Sequence, residues 1–179
     1  ITLPGNVSSQ YISALLMIGP KLENGLNITL TGEIVSLPYI NMTLQLMADF
    51  GAKVSWVNDH ELKVEPQPYC SIPYNIENDW SAASYWLEIA ALAKDAEITL
   101  PGLFKHSYQG DSKMAENFGL LGAIPICKDN NVTIQKPRFV DISMATHMSC
   151  DFTNQPDVAQ TFVVTCALQN TTFCFTGLQ

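Results

Sequence analysis

Apolar residues recur at helical spacing in three stretches of the chain, Ser9 to Met17, Ser81 to Ala93 and Asp157 to Leu168. Residues three and four apart share a face of an α-helix, so each stretch predicts a helix. After each comes a short β-rich run closed by glycine: Ile28-Thr29-Leu30-Thr31-Gly32, Ile98-Thr99-Leu100-Pro101-Gly102 and Phe173-Cys174-Phe175-Thr176-Gly177. These runs predict strands. A second helix ends at Phe50-Gly51-Ala52 in the first copy and at Leu121-Gly122-Ala123 in the second. Glycine just past the last turn supplies the left-handed cap that ends many helices. Strand patterns follow at Lys53 to Val57 and Glu61 to Glu65, and again at Ile124 to Cys127 and Asn131 to Gln135.

The closing glycines are spaced by roughly 70 to 75 residues, so the chain holds two full units of helix, strand, helix, strand, strand and the start of a third. Solenoids repeat every 20 to 50 residues or so, which makes a few large α/β units the better account. Ser13 to Ile18 and Leu87 to Ala93 are apolar around much of their circumference. Such helices belong between sheets, so helices inside and sheets outside are expected.

At 179 residues the chain can bury one ordinary domain or two half-domains. It opens on Ile1 and breaks off at Gly177-Leu178-Gln179 after a strand pattern, so an internal piece of a longer protein is expected. No apolar run approaches the 18 or so residues needed to cross a bilayer and no basic segment precedes one, so a cytoplasmic address is expected. Nine Lys and Arg against 17 Asp and Glu leave a net charge of −8, which argues against nucleic acid, whose binding needs clustered cations. Five cysteines without a C-x-x-C pair suggest neither a disulfide framework nor a zinc site, and reduced thiols fit better. His60, His106 and His147 stand apart without ligand spacing, so no metal and no cofactor are expected. Sequons begin at Asn6, Asn27, Asn41, Asn131 and Asn170, but four of these run into predicted helix or strand rather than exposed loop. Met42 and Met47 read as core.

Two places carry candidate chemistry. Ser8 and Ser9 immediately precede a predicted helix, where free N–H groups and the helix dipole favour an anion; one of them could equally be a plain N-cap. Asp157 follows Pro156 at the start of the third helix, where the dipole favours a carboxylate and acidic residues are common.

The local motifs go further. Asn6-Val7-Ser8-Ser9-Gln10, Val35-Ser36-Leu37-Pro38-Tyr39 and Asn154-Gln155-Pro156-Asp157-Val158-Ala159 resemble the S-S-Q, V-S-x-P-Y and P-D-x-A segments of the enolpyruvyl transferases, in the branch that acts on shikimate 3-phosphate. Asn78-Asp79-Trp80-Ser81-Ala82-Ala83-Ser84-Tyr85 and Tyr108-Gln109-Gly110-Asp111 are similar to two further segments of that family, in the same order. Leu37 stands where many members carry a basic residue, and Asn78 replaces a usual glycine. The resemblance implies repeated βαβαββ-type units forming inverse α/β, inside-out half-domains with buried helices. Residues 1–76 would be part of the shikimate-phosphate-binding domain and 77–179 part of the second domain. It implies transfer of the carboxyvinyl group of phosphoenolpyruvate to the 5-hydroxyl of shikimate 3-phosphate, in a full-length monomer serving aromatic amino-acid biosynthesis. Ser8, Ser9 and Ser36 would bind shikimate 3-phosphate, Gln10 would sit between the substrates, Tyr39 would pack beside the first, and Asp157 would take the proton of the attacking hydroxyl. Asp79 and Asp111 would cap helices and fix the hinge. The family's phosphoenolpyruvate pocket draws its Lys and Arg largely from outside this stretch, which accounts for the acidic balance and implies that the fragment alone is inactive. The transferase acting on UDP-N-acetylglucosamine is the nearest alternative, and a secreted glycoprotein binding module is the alternative of another class.

Overall fold

The computed structural model describes residues 1–139, 147–169 and 172–178. It is a mixed α/β structure that divides into two compact units, Ile1–Tyr74 and Asn75–Gln179.

In the first unit the order is β1 (Thr2–Pro4), α1 (Ser9–Ile18), β2 (Leu26–Thr31), α2 (Leu37–Asp49), β3 (Val54–Asn58) and β4 (Glu61–Val64). The sheet runs β1-β2-β4-β3, with β1 parallel to β2 and the remaining pairs antiparallel. Side chains alternate across a strand, so Ile28 and Leu30 of β2 and Leu62 and Val64 of β4 all reach the same buried layer. Ile12 and Leu16 from α1 and Ile40, Leu44 and Met47 from α2 complete it. Each such side chain contributes roughly 1.5–3 kcal/mol on leaving water. A 2.7 Å hydrogen bond between Ser13 Oγ and Thr43 Oγ1 ties the two helices together.

In the second unit α3 (Trp80–Leu92), β5 (Ala96–Pro101), α4 (Met114–Leu120), β6 (Ile124–Lys128) and β7 (Asn131–Lys136) repeat the helix, strand, helix, strand, strand order. They form an antiparallel sheet β5-β7-β6. Beyond it, β8 (His147–Asp151), α5 (Ala159–Leu168) and β9 (Thr172–Thr176) form a separate β-α-β element whose two strands are parallel. Its core is aromatic. Phe162 meets Phe118 edge to face with ring centroids 5.2 Å apart and also touches Phe152, Phe173 and Phe175. Edge-to-face pairs add about 0.5–1.5 kcal/mol beyond burial.

The helix and strand expectations from periodicity hold within one or two residues, with four differences. Strands β1 and β8, which no hydrophobic pattern marks, stand ahead of α1 and α5. A 3₁₀ turn, Gly110–Lys113, leads into α4. Asp157 does not open the α-helix; it lies in a 3₁₀ turn, Pro156–Val158, that precedes α5, because Pro156 cannot donate a hydrogen bond to an earlier carbonyl and suits a first turn. Finally, the helices are covered on one face only. α3 buries Trp80, Ala83, Ser84, Leu87, Ala90 and Ala91 but leaves Tyr85, Trp86, Ile89 and Leu92 half exposed.

Asn27, Asn41 and Asn131 lie within β2, α2 and β7, as their sequence context suggested, and Asn170 lies outside the described residues. All five cysteines are free, Cys150 and Cys166 buried and the other three exposed. Burial raises both buried thiols, and that of Cys166, with Cys150 beside it, is pushed up to about 12. No helix among the described residues is long and apolar enough to cross a membrane.

Candidate functional site

The parallel pairing of β1 and β2 sets the first locus. Pro4 lies opposite Thr31, so both strands end at the same edge of the sheet, and each feeds a loop that enters a helix. The loops are stitched together: Gly5 N–H donates to Thr31 C=O at 2.7 Å and Val35 N–H to Gly5 C=O at 3.3 Å. Gly5 is buried, and a Cβ there would stand 2.6 Å from Glu33 O and 2.9 Å from Ile34 Cγ1, so only glycine lets the loops approach this closely. The first turns of α1 and α2 are thereby brought to one edge, carrying Ser8, Ser9 and Gln10 on one side and Ser36 and Tyr39 on the other.

The serines differ in what they do locally. Ser8 is the N-cap of α1, its Oγ accepting the Gln10 N–H at a long 3.4 Å. Ser9 is buried in the first turn, while Gln10 is exposed. Ser36 caps α2 from left-handed backbone, φ 55° and ψ 34°, and its hydroxyl makes no capping bond. A left-handed non-glycine residue costs of order 1–3 kcal/mol and persists only where the surroundings dictate it. Leu37 and Pro38 open α2, and Tyr39 is half-buried one turn on. Helix N–H groups left without intrahelical partners at both starts, together with hydroxyls, make this edge suited to a phosphate.

The second locus lies in the other unit. Asp157, exposed on its 3₁₀ turn, lines an open recess of about 450 Å³ with Pro156 and Gln160 from the start of α5 and Asp79, Ser81, Ala82 and Tyr85 from the start of α3. Gln160 Nε2 donates to Tyr85 Oη at 2.7 Å across the recess. Asp79 caps α3, accepting the Ser81 N–H at 2.8 Å. Asp111 is 4% exposed and accepts a hydrogen bond from the Ser81 hydroxyl. The capping expected of Asp79 is thus present, whereas Asp111 lies in a 3₁₀ turn and secures the start of α3 by accepting from the Ser81 hydroxyl, without capping its own helix. Nearby, Glu77 ties the entry to α3 to the 104–109 loop: its carboxylate accepts from Trp80 Nε1, Phe104 N and Ser107 Oγ at 2.7–2.8 Å and from Gln109 Nε2 at 3.2 Å. Asn78, in place of the usual glycine, donates from Nδ2 to Pro101 C=O at 2.9 Å and so holds the end of β5.

Two carboxylates and no Lys or Arg line the recess. Unit charges of like sign near a protein surface repel by about 4 kcal/mol at 4 Å, so an anionic group is unwelcome there and a hydroxyl is welcome. Ser81 and Tyr85 stand in the Asn78–Tyr85 segment noted in the sequence but were given no role there, and Gln160 lies outside every motif. Their spacing, Ser81 to Tyr85 and Pro156 to Gln160, is that of one helical face, but nothing along the chain says which two faces meet. No cluster of His, Cys, Asp and Glu suited to a metal ion occurs among the described residues; His60 and His106 are exposed.

The first locus offers hydroxyl and N–H donors at two helix starts, and the second, in the other unit, an acidic recess with hydroxyl and amide side chains. Comparison with known proteins gives the family: the whole chain, residues 1–179, matches the EPSP synthase (3-phosphoshikimate 1-carboxyvinyltransferase) family, and the chain belongs to it. It is 59% identical over 179 residues to the 3-phosphoshikimate 1-carboxyvinyltransferase of Bacteroides fragilis strain ATCC 25285, covering 100% of this chain and 43% of that protein. It is 41% identical over 124 residues to that of Dehalococcoides mccartyi strain BAV1, covering 69% and 29% respectively. With that of Yersinia ruckeri it shares 36% identity over 170 residues, covering 94% and 38%. The chain therefore spans less than half the length of these relatives.

Proposed function

We propose that this chain supplies part of the active site of an enzyme that transfers the carboxyvinyl group of phosphoenolpyruvate to the 5-hydroxyl of shikimate 3-phosphate, in the cytoplasm and as a monomer when complete. The observation that carries the reading is the pairing of two serine-bearing helix starts at the common end of β1 and β2. Ser8, Ser9 and Ser36 hold the 3-phosphate by hydroxyl and N–H donation, Gln10 reaches between the two substrates, and Tyr39 packs beside the ring. Asp157 accepts the proton of the attacking hydroxyl, a role its acidic surroundings suit because they favour a hydroxyl over an anion.

Residues 1–76 act as part of the shikimate-phosphate-binding domain and 77–179 as part of the second domain. In the complete inside-out fold the helices are interior. The half-exposed Tyr85, Trp86, Ile89 and Leu92 of α3 support this, since four large apolar side chains on one helix face ask for cover.

Calorimetric titration of the chain tests the proposal. Shikimate 3-phosphate should bind weakly, with Kd of about 1 mM, equivalent to about −4 kcal/mol. Phosphoenolpyruvate should give no detectable heat, because a carboxylate and a phosphate held close together need Lys or Arg to offset their mutual repulsion, and neither locus contains them. Binding of phosphoenolpyruvate tighter than that of shikimate 3-phosphate would overturn the assignment.

A further inference from the structure

We propose that Ser84 and Thr161 are positioning residues for Asp157, an inference that rests on the role given to Asp157 above. Both side chains are 1% exposed and lie where α3 packs on α5, within a mostly apolar core that includes Leu87, Ala91, Phe118 and Phe162 and one further buried hydroxyl on α5, Thr165, which donates to Thr161 C=O at 2.8 Å. A buried hydroxyl costs about 1–3 kcal/mol unless it is hydrogen-bonded, and Ala with Val would fill the space without that demand.

What the pair gains is a link between two backbones. Ser84 Oγ lies 2.6 Å from Ser81 C=O, Thr161 Oγ1 lies 3.0 Å from Ser84 Oγ, and Thr161 Oγ1 lies 3.0 Å from Val158 C=O. The chain of carbonyl, hydroxyl, hydroxyl, carbonyl has three gaps and two protons. Either hydroxyl can bond its own helix or its partner, and two of the three proton arrangements fill the gap between helices. At one end is Ser81, which lines the recess from α3. At the other is Val158, the residue after Asp157 in the same 3₁₀ turn. On the surface above, the Gln160–Tyr85 hydrogen bond joins the same two helix starts. The Asp157 carboxylate is exposed and has no such anchor in its own side chain's surroundings; the turn beneath it is what the buried pair fixes. A base displaced by about 1 Å can cost up to about 10²-fold in rate.

The test is steady-state kinetics on the complete enzyme with Ser84→Ala, Thr161→Val, Thr161→Ser and Asp157→Asn, alone and combined. The truncated variants remain satisfied, because the surviving hydroxyl donates to its own helix carbonyl, so they should fold. Ser84→Ala and Thr161→Val should each lower kcat by about 5- to 50-fold with KM for shikimate 3-phosphate within about 2-fold, and Thr161→Ser should restore kcat to within about 2-fold. Combined with Asp157→Asn, Thr161→Val should add no further loss, since it acts through the group already removed. Unchanged kcat in Ser84→Ala and Thr161→Val, or a loss that multiplies with that of Asp157→Asn, overturns the positioning role. Unchanged kcat in Asp157→Asn itself would instead sink the reading on which it rests.

Discussion

The β1-α1-β2 element of the first unit and the β8-α5-β9 element of the second are the same construction used to opposite electrostatic ends. In both, two parallel strands flank a helix, and a left-handed glycine ends the second strand, Gly32 with φ 74° and Gly177 with φ 69°. In both, the candidate residue stands in the loop from first strand to helix: Ser8 four residues past Pro4, Asp157 six past Asp151. Ser8 is a neutral donor at a start that welcomes an anion. Asp157 shares its recess with Asp79 and repels one. In the proposed reading the scaffold sets where a ligand group lies relative to a helix start, and the side chain there sets whether a phosphate or a hydroxyl is favoured. The loops are secured differently as well. In the first element Gly5 lets two loops touch, whereas in the second Gly177 lies against Thr153 and Asp151, whose carboxylate accepts from Thr153 N–H and Oγ1.

The comparison breaks most visibly in the kinetics of the complete enzyme. Asp157→Asn should lower kcat by about 10²- to 10⁴-fold with little change in KM, as loss of a general base does. Ser8→Ala should raise KM for shikimate 3-phosphate by about 10-fold or more at nearly constant kcat, because a charge-assisted hydrogen bond of about 1.5–3 kcal/mol serves ground and transition states alike. If both variants gave the same split between kcat and KM, the two elements would not divide the work as described.

A smaller effect concerns Gly5. Gly5→Ala must push Glu33 C=O aside and should cost about 1–3 kcal/mol, as overpacking generally does. Hydrogen exchange should accelerate at the amides of Gly5 and Val35 while those of β5 and β7 keep their protection. Equal acceleration in both units would show that the loop contact is not local.

The smallest effect is a pH dependence. The bonds from Thr153 lower the carboxyl of Asp151 below its ordinary range, so its contribution to stability is present above about pH 4 and is lost as pH falls through its depressed value. Thermal scans of the chain and its Asp151→Ala variant should differ at pH 7 and converge once the pH has fallen below that depressed value. A gap that stays constant would assign the loss to packing.

Sequence by itself determined the helices, most strands and the repeat, because each is written in local periodicity and in glycines past helix ends. The S-S-Q, V-S-x-P-Y and P-D-x-A runs also named Ser8, Ser9, Gln10, Ser36, Tyr39 and Asp157 as candidates, since short motifs keep their chemistry in order along the chain. Only the tertiary structure decided the rest. Strand β1 has three residues, too few to display alternation, and Pro4 is tolerated in it because it lies at the sheet edge. Without β1 and β8 the parallel pairings are invisible, and with them the reason that Ser8 and Ser36 share an edge. The recess needed the packing of α3 on α5, which joins Ser81 and Tyr85 to Asp157 across more than 70 residues of chain. Local pattern records what each face prefers, water or core; which two faces meet depends on contacts distant in sequence, and those exist only once the chain has folded.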